Sequence, residues 1–387
     1  MKRLAFLHSA YVGAGGLGMC AATSLDDLAR QPFAIHAYGP GFADWPFRSP
    51  VPAVTRHTVD AGVPAWVGRY SHRRWMAGRH LHLVSRAVGR KAARAIAAGG
   101  AEACFAFSGV ALESLEWSAR NKVPAMLECA TGHIRDFYDV NLREHRTWSR
   151  GPYLDHPSRA MVEREEEEYA LSSRIRVSST WAAGSFVRYG VPRDKVRVVP
   201  QFLDTERYAP PPALRRHEGP LRLCFVGTIT LRKGFPYLLE AIKPLGPGAA
   251  DLEIAGSTGM RSERQVFDRL RAGLNVVVRP QDPVPVYHRS ELLVFPSLSD
   301  GFAFAVAEAM ACGLPVIVTD TTGAADWVTP ESGWIVPAGD TDALTAAITD
   351  ARERRPELDD MGRAARSAVL RQIASRGAAL PLFDAAL

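Results

Sequence analysis

The sequence predicts an α/β protein with two doubly wound parallel sheets, and three observations lead to this prediction. Apolar runs typical of buried strands alternate with helical patterns before residue 204 and again after residue 221. A proline-rich, polar stretch separates the two series. The 387 residues, 47% hydrophobic and 23% charged, suffice for two separate cores. We therefore predict an N-terminal domain at 1–204, a linker at 205–220, a C-terminal domain at 221–370 and a last helix at 371–387.

Composition and charge narrow the class of protein further. The five cysteines are scattered with no close pair, so we expect reduced core residues rather than zinc ligands or disulfides. A net charge of +6 is compatible with an anionic partner but does not identify one. The first apolar run ends at His8 in a glycine-rich loop without a cleavage-like site, and no run reaches membrane-spanning length. We expect a cytoplasmic protein.

The first domain is predicted from strand-like runs that alternate with helical patterns. The strand-like runs are Leu4–His8, Phe33–Tyr38, Ala103–Phe107, Val123–Cys129 and Lys195–Val199. Helical patterns end at Arg30, span Val110–Arg120, and run from a Thr180 cap to Tyr189. The acidic run Glu163–Glu168 lies on another helix, where we expect a solvated face. His133 follows the fourth strand, and ligands of such sheets gather at the strand carboxyl ends.

The glycine-rich run Gly13–Gly18 has the spacing of a dinucleotide fingerprint, G-x-G-x-x-G. That fingerprint also needs an acidic residue at the end of the second strand, and this strand ends in Tyr38 and Gly39 instead. An NAD-dependent oxidoreductase therefore remains an alternative that this run alone supports weakly.

The stretch 66–94 contains eight basic residues and no acidic one, interleaved with aromatic residues. Such a stretch is compatible with an anionic membrane surface, an acidic acceptor, or simply a solvated helix face. No nucleic-acid motif accompanies it, so we do not expect nucleic-acid binding. Peripheral contact with the inner face of a membrane is one expectation for this stretch.

The second domain is predicted from a second series of short apolar runs. The strand-like runs are Leu221–Val226, Leu252–Ala255, Val276–Val278, Leu292–Phe295, Val316–Val318 and Gly333–Val336. Between the first run and a helix that starts near Pro236 stand Arg232 and Lys233, whose charge has the wrong sign for a helix N-terminus. A bound diphosphate would reverse that penalty, so these two cations are candidate phosphate ligands.

The stretch from Ser297 to Val318 organises the second domain. From Ala303 to Cys312 it is apolar except for Glu308, which predicts a helix buried on all sides with one carboxylate that needs a partner. Asp300 lies in the loop before the helix, so the two acids cannot share a helix face. Gly301 and Ala303 leave the first amides of the helix open to an anion. This arrangement suits a nucleotide-sugar.

The motif from Asp300 to Val316, with Glu308 eight residues after Asp300 and followed by Ala-Met-Ala-Cys-Gly-Leu-Pro-Val, resembles the signature of GT-B fold, family-4-like retaining glycosyltransferases of group 1. Asp300 stands where this family has glutamate, Ala303 where glycine is usual and Thr228 where arginine is usual. The resemblance implies two Rossmann-like domains that face each other across a cleft, with the last helix returning to the first domain. It implies transfer from a UDP- or GDP-sugar to a glycan, lipid-linked or small-molecule acceptor.

The resemblance also assigns roles to residues. Catalytic contacts would come from His133 beside the donor sugar, Asp300 on the sugar hydroxyls and Glu308 on the ribose. The donor phosphates would meet Gly15, Gly16, Arg232, Lys233, Ala303, Phe304 and Ala305. The nucleotide would meet Gly227, Thr228, Gly256, Ser257, Arg279, Pro280 and Glu308. No metal-ligand cluster is evident in the sequence, so no metal or other cofactor is expected.

Two alternatives from other classes stay open beside the NAD-dependent enzyme. One is a nucleotide-binding scaffold without catalysis, which the departures at Thr228, Asp300 and Ala303 allow. The other is an epimerase or phosphorylase on the same fold, because a fold alone does not separate these activities.

Overall fold

A computed structural model of the chain describes residues 1–9, 12, 15–41, 54–59, 77–150, 153, 157–212 and 219–375, and it contains two parallel sheets. The strands of the first sheet are β1 Lys2–Leu7, β2 Phe33–Gly39, β3 Val54–Thr58, β4 Ala103–Phe107, β5 Ala125–Glu128, β6 Arg174–Val177 and β7 Val196–Val198. Its helices are α1 Gly15–Ala29, α2 Ala77–Gly99, α3 Leu112–Arg120, α4 Ile134–Trp148, α5 Arg159–Leu171 and α6 Thr180–Arg188. The strand order is β3-β2-β1-β4-β5-β6-β7.

The second sheet has the strand order β10-β9-β8-β11-β12-β13. Its strands are β8 Leu221–Val226, β9 Ala250–Ala255, β10 Val276–Arg279, β11 Leu292–Phe295, β12 Val316–Thr319 and β13 Gly333–Val336. Its helices are α7 Phe235–Ile242, α8 Arg261–Leu270, α9 Val284–Arg289, α10 Phe304–Ala311, α11 Thr341–Glu353 and α12 Leu358–Ser375. Short 3₁₀ turns lie at Arg193–Lys195, Leu231–Lys233, Lys243–Leu245, Gly323–Trp327 and Arg355–Glu357. The predicted α/β class with two doubly wound sheets is confirmed.

The strand order places the candidate site at the middle of the second sheet. From β8 the chain adds β9 and β10 on one side of the sheet, and then β11, β12 and β13 on the other side. The strand order therefore reverses at the boundary between β8 and β11, which are parallel neighbours. The loops that leave these two strands diverge at that point and leave a crevice at the strand carboxyl ends. The loop after β8 begins with Gly227, and the loop after β11 carries Asp300. Candidate residues 67 positions or more apart in sequence therefore meet at one edge.

The two domains contact each other directly beside that edge. Ser179, which precedes α6, donates a hydrogen bond from Oγ to the Gly301 carbonyl at 2.7 Å. The Tyr237 hydroxyl of α7 donates to Glu144 Oε2 of α4 at 2.8 Å. Gly301 lies against the backbone of Ala130, because a β-carbon added to it would lie 2.2 Å from the Ala130 oxygen. The carboxyl ends of the two sheets thus face each other, with the loop from 297 to 303 between them.

The predicted solvated face at Glu163–Glu168 is wrong for three of its residues. Arg164, Glu165 and Glu168 are buried. The Glu168 carboxylate accepts hydrogen bonds from the Gly109 amide at 2.7 Å and the Ala111 amide at 3.0 Å. Arg164 pairs with Glu113 at 2.6 Å. Helix α5 therefore packs under the loop after β4, whose backbone amides need acceptors. An unbroken run of charges in the sequence hides this inward face.

Smaller differences concern helix ends and the connection between the domains. The N-cap of α6 is Ser179 rather than Thr180, since the Ser179 hydroxyl accepts the Ala182 amide at 3.1 Å. All five cysteines are buried and carry no disulfide, as predicted.

Residues 213–218 of the predicted linker and 376–387 of the predicted last helix lie outside the described residues. The return of that helix to the first domain stays a prediction. Helix α12 runs through residue 370 without a break.

In the part of the chain that the structure describes, every helix is too short or too polar to cross a membrane.

Candidate active site

A cleft of about 500 Å³ lies between the two domains and collects most of the predicted donor-site residues. The first domain contributes residues from the start of α1 and from the loop after β5. The second contributes the loops after β8 and β11 and the first turns of α10. The predicted residues that line it are Gly16, Gly227, Thr228, Arg232, Lys233, Asp300, Ala303, Phe304, Ala305 and Glu308. Further lining residues are Leu17, Cys20, Ala130, Thr131, Val226, Thr230, Phe295 and Phe302.

Both predicted phosphate ligands are paired with Asp300 in this structure. The Lys233 ammonium contacts Asp300 Oδ2, and Arg232 Nη1 lies 3.7 Å from the same oxygen. Burial opposes ionisation of Asp300, but the two cations outweigh it and lower the pKa of this carboxyl below its usual value. Burial lowers the pKa of Lys233, although Asp300 offsets part of that effect. One carboxylate and two cations leave a net positive charge that suits a diphosphate.

The turn that carries the two cations is fixed from both domains. Arg232 lies over the ring of Phe137, which belongs to α4 of the first domain, with 4.8 Å between the guanidinium carbon and the ring centroid. Arg232 Nη1 also donates to the Ser299 carbonyl. Gly234 ends the turn at φ 73°, and a β-carbon there would lie 1.8 Å from the Pro296 oxygen, so only glycine fits. The second domain therefore shapes the turn, and the first domain adds one packing contact to it.

Glu308 projects from α10 into the cleft, and phenol groups hold its carboxylate. The Tyr287 hydroxyl donates to Glu308 Oε2 at 2.8 Å. The phenol of Tyr208 lies close enough to influence the pKa of this carboxyl. Burial raises the pKa of Glu308 above its usual value, while these two phenols and Arg207 act in the opposite direction. The carboxylate thus lines a cleft with hydroxyl partners and has room for a ribose. The predicted all-round burial of the helix is corrected on this side, where Phe304, Ala305 and Glu308 are only half-buried.

Helix α10 begins at the cleft in a strained conformation. Its N-cap, Ala303, has φ 68° and ψ 74°, a left-handed conformation that costs a residue with a β-carbon about 1–2 kcal/mol. This geometry accounts for the glycine that the resembled family usually has at this position. The amides of the first helical turn lack partners inside the helix. Ala303, Phe304 and Ala305 line the cleft, so these amides are placed to meet an anion.

His133 does not line the cleft in this structure. Its side chain is 2% exposed and stacks on Tyr189 with 4.7 Å between ring centroids. Its Nδ1 accepts the Arg135 amide at 3.2 Å, so the imidazole caps α4. Burial lowers the pKa of His133 to about 4, which keeps the ring neutral near pH 7. The neighbouring Thr131 does line the cleft, so the loop that holds His133 reaches the site although the imidazole does not.

The predicted glycines of the site serve different purposes. A β-carbon on Gly16 or Gly227 would meet open space, so the backbone there is accessible from the cleft. A β-carbon on Gly256 would lie 2.0 Å from the Gly227 oxygen. Gly256 is therefore needed for close approach of the β8 and β9 ends, and its predicted contact with a nucleotide stays a prediction.

The remaining predicted nucleotide contacts lie elsewhere. Ser257 follows β9, and Arg279 and Pro280 are exposed at the end of β10, the edge strand of the second sheet. None of these three lines the cleft. Gly15 begins α1 beside Gly16. Their proposed roles stay predictions.

Three residues of the site were missed from the sequence, namely Phe137, Tyr208 and Tyr287. Phe137 lies in the first turn of α4, four residues after His133, and Tyr287 lies in the short helix α9. Tyr208 lies in the stretch that we interpreted as a linker. Aromatic residues at such positions are common in cores and connections, so the sequence gives no signal that separates them from ordinary packing.

Within the described residues, no group of three His, Cys, Asp or Glu side chains is arranged to hold a metal ion.

Two facing Rossmann-like sheets with a ligand-sized cleft between them define a GT-B fold, and comparison with solved structures agrees. A sucrose-phosphate synthase from Thermosynechococcus elongatus superposes with a TM-score of 0.68 at 19% identity, covering 98% of this chain and 96% of the other. HepE of Anabaena in complex with UDP superposes with a TM-score of 0.65 at 15% identity, covering 98% of both chains. These likenesses confirm the predicted fold.

Residues 220–353 match the family of glycosyl transferases group 1. The chain is 28% identical over 234 residues to a D-inositol 3-phosphate glycosyltransferase of Xylanimonas cellulosilytica, which covers 55% of each protein. The chain thus spans about half the length of the curated relatives it matches. The suspected family is confirmed, and the comparisons do not favour an NAD-dependent oxidoreductase. Residues 13 and 14 of its fingerprint lie outside the described residues.

Proposed function

We propose that the protein is a glycosyltransferase that moves a sugar from a nucleoside diphosphate sugar to an acceptor. The observation that carries this proposal is the convergence of Arg232, Lys233, Asp300 and Glu308 on one cleft with the first amides of α10. Because all four side chains line the same cleft, one ligand with a ribose at one end and a diphosphate in the middle could contact them together. UDP-sugars are the first donors to test, because the structural neighbour HepE binds UDP, and GDP-sugars are the second.

The chemistry follows from the charges in the cleft. When the bond between the sugar C1 and the phosphate oxygen breaks, negative charge develops on the diphosphate while the sugar becomes cationic. Arg232, Lys233 and the amides of residues 303–305 would stabilise that negative charge, and Asp300 would hold the sugar hydroxyls. Contact between the two domains would exclude water and limit hydrolysis of the donor. No separate metal or cofactor is needed in this scheme.

We further propose that the sugar configuration is retained. A front-face route is what the resemblance to retaining group 1 glycosyltransferases implies. In that route the acceptor oxygen bonds to C1 on the face that the phosphate leaves, and its proton passes to the departing phosphate oxygen. His133 would act by shaping the loop at Thr131, since its imidazole is buried.

The acceptor is proposed as a glycan, lipid-linked molecule or small molecule. The matched relative is named for D-inositol 3-phosphate and one structural neighbour for sucrose phosphate synthesis, so phosphorylated small molecules head the test series. The two cations of the cleft, Arg232 and Lys233, are compatible with such acceptors.

Thermal-shift screening followed by transfer assays tests the proposal. We expect UDP or GDP and one of their sugars to raise the melting temperature, because a ligand that binds only the folded state stabilises it. We expect transfer to an acceptor with the anomeric configuration of the donor, as checked by proton NMR of the product. If none of the nucleotides and nucleotide-sugars raises the melting temperature, the proposal is wrong.

Glu308→Gln is expected to weaken nucleoside diphosphate binding about ten-fold, since hydrogen bonds to an ionised carboxylate are worth about 1.5–3 kcal/mol each. Titration calorimetry with UDP and GDP measures the change. Glu240→Gln is the matched control, because Glu240 is paired with Lys243 on the surface of the same domain. Equal affinities of the Glu308→Gln variant and the wild type would remove Glu308 from the donor site.

We also propose that α2 contacts an anionic membrane surface. Its described part exposes Arg86, Arg90 and Arg94 on one face, next to Leu83, which is 60% exposed. Each exposed base near an anionic surface contributes about 1 kcal/mol. Replacing the three arginines with glutamine should therefore weaken binding to vesicles of anionic phospholipid at least about ten-fold. Cosedimentation at increasing salt measures this effect.

The matched control removes the same charge from α8 and its C-cap, by the substitutions Arg261→Gln, Arg264→Gln and Arg271→Gln. Vesicles of zwitterionic lipid alone should bind neither variant nor wild type. Equal loss of binding in both triple variants would mean that net charge rather than the face of α2 is responsible.

A further inference from the structure

The carboxylate of Glu308 has an unusual set of neighbours for an acid that is proposed to bind a ribose. Tyr287, which is fully buried, donates to Glu308 Oε2 at 2.8 Å and lies 3.2 Å from the Ala305 carbonyl. Tyr208 provides a second phenol. The other charged groups that act on Glu308 are Arg207 and Asp282, which pair with each other at 3.4 Å. Hydroxyl donors thus dominate the immediate surroundings of this acid.

The second phenol comes from the connection between the domains, and that connection is firmly attached at this point. Arg366 of α12 donates from Nη1 to the Tyr208 carbonyl at 3.0 Å and to the Ala311 carbonyl at the end of α10 at 2.5 Å. His288 of α9 lies 2.8 Å from the Ala209 carbonyl through Nε2. The backbone of Tyr208 is therefore fixed to the same helix that carries Glu308.

Two separate segments thus converge on one carboxylate. Tyr287 approaches from α9 and Tyr208 from the connection, while Glu308 keeps contact with the cleft. A phenol is a donor whose own ionisation is strongly disfavoured by burial, so both hydroxyls stay protonated near neutral pH. Such donors orient a carboxylate without neutralising its charge, whereas a cation would pair with it and compete with the ribose hydroxyls.

We propose that Tyr208 and Tyr287 are positioning residues that hold the Glu308 carboxylate ionised and aimed at the ribose of the donor. This inference rests on the proposed function and deepens it, because it names how the site keeps a buried acid competent to accept hydrogen bonds. A protonated Glu308 would present one acceptor oxygen and one hydroxyl, and would lose the charge-assisted bonds to the ribose.

The direction of the pH dependence follows from the surroundings of Glu308. Burial raises its pKa, and the two phenols lower it. Removing one phenol therefore raises the pKa further, so the acid becomes protonated at a higher pH than in the wild type. Nucleotide affinity needs the ionised acid. As the pH is lowered, the variants should therefore lose affinity at a higher pH than the wild type does.

The variants Tyr208→Phe and Tyr287→Phe test this because they keep the rings and remove only the hydroxyls. We expect affinity for UDP or GDP to be close to wild type at pH 8 and about ten-fold weaker than wild type at pH 6, as measured by calorimetry. Tyr237→Phe is the matched control, since its hydroxyl also donates to a glutamate, Glu144, but away from the cleft. Its pH profile should match the wild type.

A second readout needs no nucleotide. An acid whose pKa is higher in the folded than in the unfolded protein makes stability decline as pH rises through the interval between the two values. In the two variants this interval reaches higher pH, so the melting temperature should fall more steeply between pH 5 and 8 than in the wild type. The difference should vanish when Glu308→Gln is added.

Three outcomes are decisive. If the wild type binds nucleotides and all pH profiles coincide, Tyr208 and Tyr287 do not position Glu308 and the inference is overturned. If the wild type binds no nucleotide, the proposed function fails and the ribose part of the inference fails with it. A steeper melting profile that depends on Glu308 would in that case still show that the phenols control the ionisation of this acid.

Discussion

Replacing Gly301 with alanine is expected to lower the kcat for sugar transfer about 100-fold or more, while the affinity for nucleoside diphosphate changes little. A β-carbon at this position would lie 2.2 Å from the Ala130 oxygen and 2.8 Å from the Thr131 Cα, both of which are backbone atoms of the other domain. Backbone cannot move aside as a flexible side chain would, so the two domains must separate. A displacement of about 1 Å between reacting groups costs about 100-fold in rate.

Nucleotide binding should survive because Arg232, Lys233 and Glu308 all belong to the second domain. The measurement is a comparison of kcat with the Kd for UDP or GDP. Gly184→Ala is the matched control, since Gly184 lies in α6 next to the same interface and a β-carbon there would meet nothing within 4 Å. A Gly301→Ala variant with wild-type kcat would show that the contact with Ala130 is not needed for transfer.

Gly301 also shows why the sequence predicts some features of the site for the wrong reason. We expected this glycine to expose the amides at the start of α10, and the local pattern supports that role. The structure shows a second constraint, which is the approach of the Ala130 backbone from a segment 171 positions earlier. A sequence contains the small residue, but it does not name the distant chain that requires it.

The elements that the sequence predicts well are those with a continuous apolar run or a strong stop signal. Strands β4 and β11 are buried along their whole length and were predicted within a residue, since both read as unbroken apolar runs. Helix α10 ends before Gly313, which has φ 68°, as the glycine and the proline after it predict. Local chemistry decides these boundaries, so local sequence is enough.

The partners of charged groups were less predictable. Glu168 lies in a run that favours solvent, yet it is buried because the amides of the loop after β4 require an acceptor. His133 was expected at the reaction centre, but an aromatic cluster with Tyr189 buries it. Arg232 and Lys233 were expected to await a diphosphate, and both contact Asp300. Each outcome depends on a residue from another part of the chain.

The contact between Asp300 and the two cations leads to the second large effect. Asp300→Asn is expected to increase the affinity for nucleoside diphosphate about ten-fold, while transfer falls about 100-fold. In the wild type the carboxylate pairs with Lys233 and lies 3.7 Å from Arg232, so a diphosphate must share these cations with Asp300. Asparagine has nearly the same shape without the charge, and the cations become fully available to the phosphates. Transfer falls because the charged contact proposed for the sugar hydroxyls is lost and the product leaves more slowly.

Stability should change in the opposite direction. Loss of the counter-charge is expected to destabilise the unliganded protein, by less than the about 3–5 kcal/mol of a fully buried pair, because both cations are only partly buried. The pKa of Asp300 is lowered in the folded protein, so its ionised form contributes stability at neutral pH that is lost as pH falls through the acidic range. The asparagine variant should lack this part of the acid sensitivity. Calorimetric Kd values, kcat and melting temperatures between pH 3 and 7 measure the three effects.

The control is Glu253→Gln, whose carboxylate pairs with Arg289 on the surface of the same domain and should change neither Kd nor kcat. The two possible roles of Asp300 give opposite signs for nucleotide affinity. If Asp300 only held Lys233 and Arg232 in place for the phosphates, its replacement would weaken UDP and GDP binding. If it competes with the diphosphate and serves the sugar, binding of the nucleotide tightens while transfer is lost. The sign of the change in Kd therefore decides which end of the donor Asp300 serves. It shows whether aspartate in place of the family's glutamate concerns the phosphates or the sugar.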